Sequence, residues 1–299
     1  MGSKRQGEKK GENRMDRILI TGSSGFLGSR IVRYYQGRYK VFAPSHEEMD
    51  ITQPESVAAY MKMVSPDMVI HCAAASDVGW CQKNPEHSRE MNVKGTEHVA
   101  MACRESGAKL VYCSSDQVYF GSEKKEPHAE SEVLKPANEY GRQKLEAEKL
   151  CLSYGRENVA LRLSWMYDIE KAEEKEHGNF FLTLAETITQ GKAFVCPVYD
   201  YRGITDVRLV VTYLEQVFSL PGGVYNYGSE QTYNTYEMAV RLFQECGLPQ
   251  ELLKENKTAF SGNPRNIRMS MDKAGGYGIR FPDTLDQLAA AWRKFSQKF

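Results

Sequence analysis

Residues 17–28 read RILITGSSGFLG, and the fold turns on them. RILIT (17–21) is a short apolar run, as a buried strand requires. FLGSRIVRYYQG (26–37) carries apolar residues at helical spacing. Between them stand Gly22, Gly25 and Gly28. One glycine can make a tight turn, one can let backbone approach a phosphate, and one can let helix and sheet pack closely. The helix start then offers unpaired N–H groups and a positive dipole end to a pyrophosphate. A glycine triplet alone is a weak signal, but here it follows a strand and opens a helix. Gly22, Ser24, Gly25, Phe26, Leu27 and Gly28 are therefore candidate cofactor contacts. The spacing is G-x-x-G-x-x-G rather than G-x-G-x-x-G.

The same rhythm continues outward. YKVFAP (39–44) reads as a strand, PESVAAYMKMV (54–64) as a helix, and DMVIHCAAA (67–75) as an apolar run ending in small residues. Residues 85–107 read as one long helix closed by Gly107. AKLVYCSS (108–115) and NVALRLS (158–164) are further strands, with the helix EYGRQKLEAEK (139–149) between them. Strands alternating with helices predict an α/β fold, a Rossmann-like doubly wound parallel sheet with right-handed crossovers. After Trp165 the rhythm loosens. Residues 168–179 are charged and read as a solvated surface loop. Helices are expected from Phe180, across 206–223 and across 233–247. The expected division is a polar disordered tail at 1–14, a dinucleotide-binding domain at 15–165, and a smaller α/β lobe mainly over 166–299, with some segments free to return to the first domain.

Composition narrows the function classes. The chain has 299 residues, 41% hydrophobic and 26% charged, as a globular protein with a sizeable core requires. Lys plus Arg and Asp plus Glu are 39 each, so no global basic field calls for nucleic acid. A nucleic-acid arm in the basic tail is the less favoured reading. No apolar run of about 18 residues suggests a membrane span, and no signal-peptide core precedes the fold. The seven cysteines are scattered with no metal-knuckle spacing, so no metal site is expected and a reducing cytoplasm is the simplest compartment.

The second strand should end on the residue that reads the adenine ribose. An acid there would favour NAD. The sequence has Ala43, Pro44, Ser45 and His46 instead, so NADP is expected at least as strongly as NAD. Ser45, His46, Asp50 and Ile51 are candidate contacts at that end, with Arg30 and Arg33 as neighbouring helix-surface cations.

Tyr140 and Lys144 stand four apart and share a helix face. Read alone, they are a solvated pair. Read with TGSSGFLG (21–28), CAAAS (72–76) and YGRQK (140–144), the chain resembles the extended short-chain dehydrogenase/reductase superfamily. HCAAASDVGWCQKNPEHSREMNVKGT (71–96), VYCSSDQVYFGS (111–122) and LRLSWMY (161–167) are similar to dTDP-4-dehydrorhamnose reductase and its relatives. The similarity runs from about residue 16 onward and weakens after 168. It implies that Tyr140 donates a proton to a carbonyl oxygen as hydride arrives. Lys144 lowers the Tyr pKa and bonds the nicotinamide ribose, Ser115 bonds the same carbonyl oxygen, and Asn92 supports Lys144 through water. It adds Cys72, Ala73, Ala74 and Ala75 to the cofactor contacts, and Ser76, Asp116, Trp165, Arg202 and Arg268 to the substrate contacts. The physics agrees, because a phenol near pKa 10 needs a neighbouring cation to work at neutral pH.

The resemblance also orders the chemistries. The 4,6-dehydratases carry an Asp–Glu pair after the active-site hydroxyl, where this chain has Asp116-Gln117. Gln117 cannot act as an acid or base, so elimination is disfavoured. Epimerases of the superfamily have longer C-terminal lobes. The expected reaction is reduction of a nucleotide-linked 4-keto sugar by NADPH or NADH. The alternatives are a sugar epimerase and a non-catalytic NADP-binding subunit resembling the methionine adenosyltransferase beta subunit. A homodimer stays open. Two departures touch the substrate end. Asn263 stands where the reductases have Arg, with Arg265 and Arg268 close by, and residues 203–206 match the substrate loop only loosely.

Overall fold

The computed structural model describes residues 17–170 and 178–297. The 1–14 tail and the 171–177 part of the charged loop lie outside them. In chain order, β1 (Arg17–Thr21) enters the glycine turn and α1 (Phe26–Tyr35) leaves it. Next come β2 (Lys40–Phe42), α2 (Pro54–Val64), β3 (Met68–His71), α3 (Val78–Lys83) and α4 (Pro85–Arg89). A π-helical turn (Glu90–Lys94) joins α4 to α5 (Gly95–Ser106). Then follow β4 (Lys109–Ser115), a 3-10 turn (Asp116–Tyr119), α6 (Glu139–Tyr154) and β5 (Val159–Leu163). The remainder runs β6 (Trp165–Tyr167), α7 (Phe180–Thr189), β7 (Phe194–Pro197), β8 (Asp200–Tyr201), β9 (Ile204–Asp206) and α8 (Val207–Val217). It closes with β10 (Gly223–Tyr227), α9 (Thr235–Glu245), β11 (Leu253–Asn256), β12 (Arg265–Asn266), α10 (Asp272–Gly275) and α11 (Thr284–Ser296).

Six parallel strands form the main sheet in the order β10-β5-β4-β3-β1-β2. β3 and β5 are buried throughout, as strands covered on both faces must be. The chain leaves β1 for β2 on one side and returns to β3 on the other. That reversal opens a crevice at the carboxyl ends of β1 and β3, where ligands of open α/β sheets bind.

Several expectations change in detail. The strand expected at 39–44 is only Lys40–Phe42, since Pro44 has no N–H for a ladder. The strand expected at 67–75 stops at His71, and its small residues form a turn. The single helix expected over 85–107 is two helices joined by the π turn, which brings Asn92 inward and buries it. Residues 207–227 return to the sheet half: α8 lies on α1, and β10 extends the sheet beside β5. The lobe keeps its own core, in which Phe181, Phe194, Leu242, Phe243, Leu288 and Trp292 pack together. Of three short parallel pairs, β6–β9, β7–β11 and β8–β12, the first two contribute to that core.

Candidate active site

The glycine turn is fixed by close approach. Gly22 has φ +65°, and a Cβ there would stand 2.7 Å from the amide nitrogen of Ala73. A Cβ on Gly28 would stand 2.1 Å from the Gly22 carbonyl oxygen. Gly25 is the N-cap of α1 and brings no capping side chain, whereas Asn138, Asn179, Asp206, Asn234 and Asp283 cap later helices. An uncapped helix start with glycines pressed behind it suits a pyrophosphate. Ser24 and Gly25 are exposed at the rim, Phe26 is half-buried, and Leu27 is turned into the core. Ser23 donates to the Pro44 carbonyl at 3.1 Å, tying the turn to the end of β2.

Beneath the turn runs a buried chain that sequence reasoning missed. Ala73 N–H donates to Thr21 Oγ1 at 3.2 Å, and Thr21 Oγ1 lies 2.6 Å from His71 Nδ1. His71 Nε2 lies 3.1 Å from Thr96 Oγ1, which donates to the Asn92 carbonyl at 2.8 Å. Burial, reinforced by Lys144, drives His71 down to about 3, so the imidazole is neutral and relays hydrogen bonds.

At the adenine end, no acid closes β2. Ser45 N–H donates to the Glu48 carboxylate at 2.8 Å, which turns that acid into the loop. His46 is exposed, 3.8 Å from Asp50. Against burial, which raises it, hydrogen bonds from Thr52 hold the Asp50 carboxyl below its ordinary value. Ile51 is buried against Gly95, and its carbonyl oxygen lies 2.9 Å from His98 Nδ1. Arg30 is not the surface cation expected. It is buried, 2.8 Å from Asp168, and stacked on Phe26 at 4.1 Å. Arg33 is exposed.

The helix bearing Tyr140 is pressed into place by its neighbours. Asn138 caps α6 by accepting from Gly141 N–H at 2.7 Å and donates to the Gln117 side chain at 2.9 Å. A Cβ on Gly141 would stand 2.4 Å from the Gln117 carbonyl oxygen. The first turn of α6 therefore lies directly on the 3-10 turn that follows β4. Tyr140 is buried there beside Ser115. Ser115 Oγ accepts from Gln117 N–H at 3.2 Å and donates to Asp116 at 3.3 Å. Lys144 is buried one turn on and donates to the Cys113 carbonyl at 2.7 Å. Its ammonium lies 4.8 Å from the Tyr112 ring and 5.7 Å from the Tyr140 ring.

Burial pushes Lys144 down to about 8. Burial and then the Asp116 carboxylate push the Tyr140 phenol well above its ordinary value, and the Ser115 hydroxyl offsets this only in part. The downward shift of Tyr140 expected from Lys144 is not what the site shows: the phenol is raised. Asn92 accepts from Ala75 N–H at 2.8 Å, donates to the Ala75 carbonyl at 3.0 Å, and donates to the Gln143 side chain at 2.9 Å. It staples the Cys72–Ala75 turn to the residue preceding Lys144. Ser76, just past this turn, is exposed.

From the lobe, Arg202 reaches Asp116 at 3.3 Å and stacks on Trp165, its guanidinium carbon 4.6 Å from a ring of the indole. Among the described residues, Arg202 Nε is buried with no hydrogen-bond partner. Burial raises the Asp116 carboxyl and lowers the Arg202 guanidinium, and the attraction between them opposes both shifts. Arg265 grips Asp200 through two bonds of 2.7 Å. Arg268 has its donors engaged, bonding Asn266 Oδ1, the Thr232 carbonyl and the Lys125 carbonyl. Ser115, Asp116, Tyr140, Lys144, Trp165 and Arg202 therefore meet at one place, while Arg268 straps the lobe to residues 124–126. Among the described residues no cluster of three or more His, Cys, Asp or Glu is arranged to hold a metal ion. Among them, too, no helix is long and apolar enough to cross a membrane.

The chain and its fold have known relatives. The family model described as the RmlD substrate binding domain matches residues 15–284. The chain is 26% identical over 242 residues to a dTDP-4-dehydrorhamnose reductase of Aggregatibacter actinomycetemcomitans, covering 78% of this chain and 80% of that one. It is also 26% identical over 282 residues to the methionine adenosyltransferase 2 subunit beta of Bos taurus, covering 88% and 83%. The fold superposes on a Bacillus anthracis dTDP-4-dehydrorhamnose reductase solved with NADP, at a TM-score of 0.81 and 21% identity. That match covers 96% of this chain and all of the other.

Proposed function

The chain belongs to the family of RmlD substrate-binding domains, and on that premise we propose that it is an NADPH- or NADH-dependent reductase of a nucleotide-linked 4-keto sugar. The observation carrying this reading is the buried set at the carboxyl edge of the sheet, with Tyr140 beside Ser115 and Lys144 one turn behind. The crevice residues fit a dinucleotide: the glycines leave no room for side chains, and α1 begins uncapped. The missing acid at the end of β2 supports NADP over NAD. When bound, the nicotinamide supplies the hydride for the keto carbon.

This chain's own groups do the rest. A phenol raised by burial and by Asp116 is fully protonated at neutral pH, which suits a proton donor. Tyr140 delivers its proton to the carbonyl oxygen, and Ser115 Oγ–H steadies the same oxygen. Charge then develops on the phenolate. Lys144, bonded to the Cys113 carbonyl and lowered by burial only to about 8, is an ammonium at neutral pH; it stabilises that charge and orients a ribose hydroxyl. Trp165 offers a partly exposed face to the sugar. Arg202, fixed by Asp116 and Trp165, turns its remaining donors toward a diphosphate.

The test is oxidation of reduced coenzyme, followed by absorbance, with dTDP-4-dehydrorhamnose as substrate for the wild type and Tyr140→Phe. Turnover by the wild type that is lost in the variant supports the reading. Tight coenzyme binding without turnover favours the second reading, a regulatory subunit, which rests on the longer alignment with the methionine adenosyltransferase subunit. No coenzyme binding overturns both.

A further inference from the structure

Two cysteines meet where the crevice and the catalytic helix join. β3 and β4 are neighbouring parallel strands whose register ends at His71 opposite Tyr112. A cysteine follows each of these residues, Cys72 just past β3 and Cys113 within β4, and Cys72 Sγ lies 3.5 Å from Cys113 Sγ. Both side chains pack into the same core layer under α1 and α8. Cys72 is half-buried and Cys113 is buried. The bond to Cys113 Sγ and burial push the Cys72 thiol upward, with Lys144 opposing, so Cys72 rests as a neutral thiol.

The backbones of both residues already serve the site. The Cys72 carbonyl carbon would lie 2.9 Å from a Cβ on Gly22, so its turn abuts the glycine turn. The Cys113 carbonyl holds the Lys144 ammonium at 2.7 Å. A bond between the sulfurs would join the two segments that place the pyrophosphate turn and the catalytic lysine. Geometry permits such a bond. Adjacent strands run about 4.8 Å apart, inside the Cα spacing of roughly 4.4–6.8 Å that disulfides accept. The sulfurs need to close by only about 1.5 Å to reach bonding distance near 2.05 Å. Of the other cysteines, Cys81, Cys103, Cys151 and Cys196 are buried, and Cys246 is half-buried at the C-terminal end of α9.

We propose that Cys72 and Cys113 are an oxidation site that takes a peroxide and forms a reversible disulfide, and that this bond disables the coenzyme crevice. The Cys72 thiolate, having released its proton to water, attacks one peroxide oxygen and breaks the O–O bond. Cys72 becomes a sulfenic acid, and hydroxide leaves to take up the proton as water. The Cys113 sulfur then attacks the sulfenic sulfur and loses its proton as a second water departs. Two sulfurs give up two electrons in all, and hydrogen peroxide becomes two waters. A dithiol reductant reverses the bond by thiol exchange. The effect on coenzyme rests on the proposed function, whereas the disulfide itself does not.

The experiment treats the full chain with hydrogen peroxide, alkylates free thiols, and reads peptides by mass spectrometry. Coenzyme affinity is followed by calorimetry with NADPH before and after. The expected result is a linked Cys72–Cys113 peptide pair with a loss of about 2 Da, the mass of two hydrogens. Affinity falls at least about tenfold, and both changes are reversed by dithiothreitol. Prior saturation with NADPH slows the bond. Cys113→Ala keeps its own starting affinity through peroxide treatment. A Cys72 that gains oxygen without linking to Cys113, or a linkage confined to other cysteines, overturns the site. A linked pair with unchanged NADPH affinity overturns the disabling role. Protein that never binds NADPH in reduced form counts against the proposed function, while the peptide masses still decide the oxidation site.

Discussion

In the sheet half, functional groups are set by backbone. Tyr140 lies where it does because α6 is pressed on the 3-10 turn at Gly141, and Lys144 is held by a carbonyl oxygen. The glycine turn is set by the approach of Gly22 to Ala73 and of Gly28 to Gly22. In the lobe, Arg202 is set by side chains, an acid at 3.3 Å and an indole beneath it, and among the described residues one of its nitrogens has no partner. Backbone placement exists before any ligand arrives and tolerates little change. Side-chain placement leaves hydrogen-bonding capacity for a ligand and yields more readily. On the proposed function, the sheet half holds the chemistry and the lobe the choice of substrate.

The largest effect should come from the chemical group itself. Tyr140→Phe removes only a hydroxyl and leaves the packing of α6 in place. Turnover should fall about 10²- to 10⁴-fold, the usual worth of a general acid. NADPH affinity by calorimetry should be retained. If affinity falls as far as turnover, placement and chemistry are not separable in this half.

Next comes the clamp beneath that helix. Glu148, two turns past Tyr140, accepts from Ser114 at 2.5 Å and from Arg162 at 2.8 Å, all of them buried. Glu148→Gln leaves Arg162 without its counter-charge, and breaking a buried pair costs about 3–5 kcal/mol. Urea unfolding should show a lowered midpoint with an unchanged slope. A loss under about 1 kcal/mol, typical of exposed pairs, would mean that this buried pair does not hold α6 against β5.

A smaller effect is expected at the turn. Gly22→Ala forces a left-handed residue at a cost of about 1–2 kcal/mol and drives a Cβ toward Ala73. NADPH should bind roughly tenfold more weakly. In the lobe, Arg202→Met keeps bulk over Trp165 but deletes the charge. The apparent KM for the nucleotide sugar should rise about tenfold, within the worth of a charged hydrogen bond, and kcat should change little. A fall in kcat with KM unchanged would move Arg202 from substrate choice to chemistry.

The same contrast explains what could be read in the sequence. The strand–glycine–helix unit, the alternation through residue 164 and the Tyr140–Lys144 face are local patterns, and each has a spacing that physics dictates. Asn92 falls on a helix in the pattern, but its inward aim comes from a π turn that no spacing announces. Thr21 and His71 look like ordinary strand residues, and only the sheet register brings them to Ala73 and Thr96. Arg30 reads as a solvated helix arginine because its partner, Asp168, is 138 residues away. The return of α8 and β10 to the sheet depends on packing against α1 and β5, which is equally remote in sequence.

The mildest test uses protons in place of mutations. Lys144 titrates at about 8, against an ordinary 10.5, because burial penalises its charge. As the ammonium is lost, the charge that stabilises a Tyr140 phenolate goes with it. Turnover should therefore drop about twofold by the pH where Lys144 is half titrated and further above it. Stability moves the other way. Between about 8 and 10.5 the unfolded lysine holds a proton that the folded one has released, so this group's contribution to stability rises with pH. Activity falling while the urea midpoint holds or rises marks a titration inside the site. A midpoint that falls in step with activity would trace the alkaline limb to unfolding instead.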